Sequence, residues 1–483
     1  MASGVASIED FLHPLLRGYL GAPPWVQAVV GRAYALLPAS ARLGRAHEEC
    51  RRMLEATREA GRARGYAAAK LEETLAWAIE TVPAYRAYRH VLRGTRDATE
   101  ALRELPVTDK LDIKHAPSRY LSAAMPRSAA LETFTGGSTS TPMRFWLQRH
   151  VTRPREHAFI GEFRARAGAG ERELTLALRG RTISGAERGG LPWRYEPIRR
   201  QLMVSCDHLE PRWMPEIARV LERRRPAFIE AFPSALYALA GWLERHPLPA
   251  FTRNLKGAML FSENVYGFQM DKFRRVLGCP VVAHYGHSER VLMAGSMPDD
   301  DRYFFWPQYG WLEIVDARGR PVAEPGKLGY VVGTSFDNRV MPFVRYRTGD
   351  LAMWGRDGHP RLAGHAVVER IAGRLQEFVA CRDGRLVSIA TLGTAHFPEL
   401  SAIDAIQYEQ DLAGELTLRV AAEGALDARA RRRIAAALEA KMQGGCRVRV
   451  AQVPRIERTA RGKARMLVQR LDLRRHLDER LIA

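Results

Sequence analysis

Four short segments carry residue types that suit a polyphosphate, a divalent cation and a sugar. Thr135-Gly-Gly-Ser-Thr-Ser-Thr-Pro142 is rich in hydroxyls and glycine. Gly136 and Gly137 let backbone N–H groups curl around phosphate oxygens, with the Ser138 and Thr139 hydroxyls assisting. It is not a Walker A loop, because the Gly-Lys pairs at 326 and 462 lack the upstream glycine. Tyr285-Gly-His-Ser-Glu289 offers an aromatic face and a carboxylate able to hold Mg2+. Tyr346-Arg-Thr-Gly-Asp350 offers a carboxylate that can accept from two vicinal hydroxyls, with Gly349 allowing a close turn. Arg458-Thr-Ala-Arg-Gly-Lys463 ends in a lysine on a glycine turn, a point charge for a carboxylate or phosphate.

Three further features bear on the same chemistry. An apolar run from 258 ends in the polar Ser262, Glu263 and Asn264, and Phe232-Pro-Ser234 follows another apolar run at 227–231. Residues at the carboxyl ends of such strands line the ligand crevice of an open α/β sheet. His284, His287 and Glu289 also admit a transition-metal reading. A strand-to-loop segment gives that spacing no shared face, however, and no further ligand is specified. A packed histidine is the expectation for His284.

In this order the segments resemble the adenylate-forming superfamily of acyl- and aryl-CoA ligases, most closely the phenylacetate–CoA ligase branch with its capsule-biosynthesis relatives. The resemblance covers residues 100–470 or so. It implies ATP, Mg2+ and CoA as ligands and a carboxylic acid as substrate. By resemblance, Thr135, Gly136, Gly137, Ser138 and Thr139 line the phosphates. Ser262, Glu263 and Asn264 lie near adenine, and Tyr285 stacks at the nucleotide–acyl junction with Gly286, His287 and Ser288 beside it. Glu289 holds Mg2+, Asp350 and Arg374 hold the ribose, and Phe232 and Ser234 wall the acyl pocket. Gln376 and Glu377 form the hinge, with Glu377 as pivot, and Lys463 is the catalytic lysine. Two departures stand out: Ser140 replaces a usual second glycine, and Thr141 replaces a common lysine.

The elements that must position these residues read as α/β. Residues 1–100 look helical, and the stretch 24–37 is amphipathic, expected to pack on the body rather than lie on a membrane. From 105 to 345, strand-like runs (174–178, 227–230, 257–261, 280–284) alternate with helical ones such as 214–224, the mark of βαβ units. Residues 311–350 are strand- and turn-rich, with a hairpin expected at Asp316-Ala-Arg-Gly319. The tail reads as strand 416–420, helix 427–442, strand 447–453 and a terminal helix. The expected fold is therefore a large N-terminal domain of βαβ subdomains with a β-rich subdomain, followed by a small mobile α+β domain. The divisions fall at 1–100, 101–372 and 373–483, with the boundary near Gly373.

At 483 residues the chain exceeds what one core usually supports. Five scattered cysteines, none in a Cys-x-x-Cys pair, point to a reducing compartment and against a disulfide framework. Neither a secretory leader nor a transmembrane run is read, so a cytoplasmic location is expected. The net charge of +20 comes from 74 Lys+Arg against 54 Asp+Glu, spread along the chain rather than gathered in a stripe. No specific nucleic-acid partner is expected from that pattern. It suits steering of ATP, CoA or an acidic acyl-carrier protein. Two alternatives stand beside the CoA-ligase reading. One is adenylation with transfer to a carrier protein, amine or hydroxyl; the other is a catalytically silent basic binding protein. The acid and the oligomeric state are not legible.

Overall fold

A computed structural model of the chain describes residues 7, 10, 18–19, 22–91, 97–135, 143–170, 173–179, 190–362, 364–374, 377–392, 403–422, 424–459 and 464–473. The chain divides into two compact units. One comprises Met1–Ala165, His284–Ser296 and Arg302–Arg370; the other comprises Arg166–Ala283, Met297–Asp301 and Ile371–Ala483.

In the first unit, the helix Ala60–Thr81 buries Ala63, Ala67, Leu71, Leu75 and Ala78. These positions recur every three or four residues, so they form one stripe. The stripe packs with Leu102, Leu105, Phe336 and Val344. The helix Pro24–Leu36 buries Gln27 and Tyr34, while Trp25 is 71% and Val29 62% exposed. The Gln27 amide donates to the carbonyls of Tyr19 and Ala22. A hairpin pairs Ala130–Phe134 with Arg144–Gln148. The strands Gly310–Val315, Leu328–Ser335 and Tyr346–Trp354 run antiparallel in sequence order, and Asp300–Phe305 pairs with Ala366–Arg374. Between the second and third of these strands the register shifts. Tyr330 faces Leu351 while Val332 faces Arg347, so residues 348–350 stand opposite Val331 alone. Such a bulge needs an unusual backbone angle, and Gly349 supplies it with φ +87.

The second unit is built on parallel strands. Thr175–Arg179 lies between Gln201–Ser205 and Phe228–Ala231; Gly257–Leu260 and then residues 281–283 continue the order. Trp193–Glu196 adds an antiparallel edge. The intervening helices Met214–Arg224, Pro233–Arg245 and Gly267–Leu277 turn Ile217, Leu221, Leu236, Leu239 and Phe273 into this core. This is the βαβ alternation read from the sequence. The C-terminal part forms a four-stranded sheet in the order Arg447–Gln452, Glu415–Ala422, Ile403–Gln410, Leu467–Gln469. The helix Ala428–Lys441, capped by Asp427, buries Ile434 and Leu438 against it. The expected terminal helix lies outside the described residues. No helix among the described residues is long and apolar enough to cross a membrane.

Candidate active site

In the first unit, the strand Val281–Gly286 carries Tyr285 near its carboxyl end, and the bulge at 348–350 turns Asp350 toward it. The Tyr285 hydroxyl donates to Asp350 Oδ2 at 2.8 Å and lies 3.4 Å from Thr348 Oγ1. Thr348 braces the bulge: its hydroxyl donates to the Val331 carbonyl and accepts from the Asp350 N–H. The second pair is Glu289 and Tyr346. Glu289 is buried, and the Tyr346 hydroxyl donates to its Oε1 at 2.9 Å. Two of the sequence motifs are thereby interleaved, each lending a tyrosine to the other's carboxylate.

The surroundings fix these groups. Tyr285 packs on Phe305 with ring centroids 5.5 Å apart. At Gly286 an added Cβ would meet the His284 ring at 2.9 Å, so any larger residue there would have to displace that ring. His284 itself packs on Phe163, the core position expected of it. His287 and Ser288 fall in the turn after the strand, where the Arg290 N–H donates to the His287 carbonyl. Arg290, left-handed at φ 55, pairs with Glu156. Among the described residues, no group of three or more His, Cys, Asp or Glu is arranged to hold a metal ion. Thr135 is buried: its hydroxyl accepts from the Met143 N–H at 2.8 Å, and its own N–H donates to the Met143 carbonyl. Gly136, Gly137, Ser138 and Thr139 lie outside the described residues.

In the second unit, Phe232 and Phe261 follow adjacent parallel strands and meet edge to face at 5.5 Å. Arg179 ends the neighbouring strand; its guanidinium sits 4.8 Å over Phe261 and pairs with the buried Glu230. Gln201 also donates to Glu230, at 3.1 Å. Ser262 takes a left-handed turn, φ +67. The Glu263 carboxylate accepts from the Ser234 N–H at 2.9 Å and from its hydroxyl at 3.1 Å, at the start of the helix Pro233–Arg245. Asn264 donates to Glu377. Gly373 is left-handed at φ +91, and a Cβ there would collide with both Glu377 and Asn264. Burial, then the Glu377 and Glu263 carboxylates, push the nearby Tyr266 phenol well above its usual range, so it stays a neutral hydroxyl. Arg374 ends the strand Ala366–Arg374. Gln376 and Lys463 lie outside the described residues.

Sequence reasoning missed three partners: Tyr346 for Glu289, Glu263 for Ser234, and Arg179 beside Phe261. The only available signal was Arg179's place one residue past an apolar strand.

Comparison with known proteins fits this architecture. No known protein-family profile matches the chain. It is 21% identical over 333 residues to Protein CapK of Staphylococcus aureus, covering 66% of this chain and 70% of that protein. A 2-hydroxyisobutyryl-CoA ligase, in the postadenylation state with R3-HIB-AMP, superposes with TM-score 0.65 at 21% identity, covering 88% of this chain and 93% of that one. The acyl acid amido synthetase AtGH3.15, in complex with 2,4-DB, superposes with TM-score 0.58 at 14% identity, covering 89% and 95%. The chain thus has the fold of the adenylate-forming ligases.

Proposed function

We propose that the protein activates a carboxylic acid with ATP and passes the acyl group to a thiol, CoA in the first instance. In the first step a carboxylate oxygen attacks the α-phosphorus; the bond to the bridging oxygen breaks, pyrophosphate leaves and an acyl or aryl adenylate forms. In the second, the thiol sulfur attacks the acyl carbonyl and AMP leaves. The observation that carries the reading is the 2.8 Å bond between Tyr285 and Asp350, which joins two motifs separated by 65 positions. Asp350, so oriented, suits two vicinal ribose hydroxyls. Tyr285 offers its ring to the nucleotide–acyl junction, and Phe232, Ser234 and Phe261 suit the wall of an acyl pocket.

Glu289 fits a magnesium ion that travels with the nucleotide. One buried carboxylate, oriented by a tyrosine, is what such an ion takes from a protein when phosphates and waters fill its other positions. When bound, it would neutralise charge on the phosphates. Lys463 is assigned to the charge that develops at the α-phosphate, and rotation of 373–483 about 374–377 would then clear the path for the thiol.

The acceptor has a second reading, an amine, because a chain of similar fold is an amido synthetase. A carrier protein or a hydroxyl acceptor is tested alongside. Pyrophosphate release from Mg·ATP, measured across aryl, short-chain and long-chain acids, tests the activation step. Release that depends on one class of acid supports it; no release with any acid, beside salt-sensitive binding to random DNA, points instead to a silent basic binding protein. Adding CoA, hydroxylamine or a carrier protein then names the acceptor.

A further inference from the structure

Cys381 and Cys446 stand 65 positions apart, yet their sulfurs lie 3.8 Å from each other, close to contact for two sulfur atoms. Both side chains are buried. Cys381 opens the turn between the antiparallel strands Phe378–Ala380 and Leu386–Ser388. Cys446 lies between the helix Ala428–Lys441 and the strand Arg447–Gln452. The two backbones abut as well as the thiols. The Arg382 N–H donates to the Gly445 carbonyl at 2.8 Å, and a Cβ at Gly445 would come within 2.8 Å of both Cβ and Sγ of Cys381. The cover over the pair is thin. Arg382, Asp383, Gln443 and Gly444 are exposed, and the Arg385 guanidinium spans the two turns by donating to Asp383, Gln443 and the Met442 carbonyl.

The two thiols are unequal. The Cys446 thiol donates toward the Cys381 sulfur, with the Ala380 carbonyl 3.6 Å from the same Sγ. That hydrogen bond, helped by the Arg385 charge, holds the Cys381 thiol below its ordinary value against burial, and it pushes the Cys446 thiol up. Cys381 is therefore the better nucleophile of the two. Burial instead pushes the Cys50 and Cys279 thiols up to about 12, which keeps them inert.

The geometry points to a redox-modification site: Cys381 and Cys446 close into a reversible disulfide under a hydroperoxide, stapling the hairpin 378–388 to the turn that precedes the strand Arg447–Gln452. In the first step the Cys381 sulfur attacks one peroxide oxygen. An S–O bond forms, the O–O bond breaks, and the other oxygen leaves as water carrying the thiol proton, so Cys381 becomes a sulfenic acid. In the second, the Cys446 sulfur attacks that sulfur; the S–S bond forms, the S–O bond breaks, and the hydroxyl leaves as water with the Cys446 proton. Two electrons pass from the thiols to the peroxide in all. Bond formation brings the sulfurs from 3.8 Å to about 2.05 Å, a movement that side-chain torsions and the two flanking turns can supply. A dithiol reverses the bond by exchange. Such a bond is made and unmade in a reducing compartment, which agrees with the chain's scattered cysteines. It requires neither ATP nor an acid, so it stands independently of the activity proposed above.

The test treats the reduced full-length protein with hydrogen peroxide, alkylates the remaining thiols in denaturant, and maps the peptides by mass spectrometry. One crosslinked peptide pair should join Cys381 to Cys446, revert with dithiothreitol, and leave Cys50, Cys206 and Cys279 alkylated. Because the bond closes a long loop, the oxidised protein should melt several degrees higher than the reduced one. In Cys446→Ser, Cys381 should stall as a sulfenic acid that dimedone traps, and peroxide should no longer raise the melting temperature. If that variant does not fold, the wild-type peptide map and its reversal still decide the matter. Peroxide that leaves both thiols alkylable, carries Cys381 to the sulfinic acid without a crosslink, or joins other cysteines overturns the site. A crosslink at 381 and 446 that leaves the melting temperature unchanged overturns the staple.

Discussion

The first unit holds its sheltered carboxylates in two ways. Glu313, 10% exposed in its side chain, faces the 4% exposed Arg345 through two bonds of 3.1 and 3.2 Å. The same guanidinium donates to the carbonyls of Leu105, Arg103 and Gly319, so its charge is spent on holding helices and turns together. Glu289 and Asp350 instead take hydrogen bonds from the hydroxyls of Tyr346 and Tyr285. A tyrosine hydroxyl orients a carboxylate while carrying no charge of its own. Arg345 and Tyr346 are consecutive residues, and the left-handed backbone at Arg345, φ 47, sits at the changeover. On the function proposed above, the guanidinium-paired Glu313 serves the fold, and the tyrosine-bonded Glu289 and Asp350 serve the ligand.

Breaking the fold-side pair should have the largest effect. Arg345→Ala leaves Glu313 buried without its cation, which typically costs about 3–5 kcal/mol, read by chemical denaturation. The deficit should depend on pH. Burial, against the opposing pull of Arg345, holds the Glu313 carboxyl above its usual range. A carboxyl raised in this way binds its proton more tightly when folded, so its contribution to stability declines as pH rises from the ordinary value of 4.5 through the folded one. Removing Arg345 raises it further, so the variant's deficit should narrow as the medium is acidified below that range, down to the part owed to the lost bonds with Leu105, Arg103 and Gly319. A pH-independent deficit would deny the charge argument.

The ligand-side carboxylates should show the reverse pattern, with stability kept and activity lost. Asp350→Ala forfeits about 1.5–3 kcal/mol of charge-assisted bonding, roughly a ten- to hundredfold fall in kcat/KM for ATP. Glu289→Gln should lower adenylation by about tenfold, partly restored by raised Mg2+. The smallest effect belongs to the tyrosines. Tyr285→Phe removes a hydrogen bond worth about 0.5–1.5 kcal/mol, a few-fold loss that should vanish in an Asp350→Ala background if the hydroxyl acts through that carboxylate.

Local pattern accounts for much of what was readable in advance. Apolar runs at 174–178 and 257–261 contain the parallel strands Thr175–Arg179 and Gly257–Leu260, buried almost throughout, and Met214–Arg224 ends where a left-handed Arg225 stops it. Gly349 signalled a tight backbone, and the bulge opposite Val331 is its cause. Pairings across distance left no local trace: Glu289 and Tyr346 stand 57 positions apart, and Ser234 and Glu263 stand 29 apart. Amphipathic spacing at 24–37 placed Tyr34 inside but gave no sign that Gln27, bonded to the Tyr19 and Ala22 carbonyls, is buried while Trp25 is exposed.

The most direct test of the central claim is ATP–pyrophosphate exchange, run with wild type and Asp350→Ala over the same panel of acids. Wild type should exchange with at least one class of acid, and the variant should require markedly more ATP while melting at the same temperature. Identical ATP dependence in the two proteins would contradict the account.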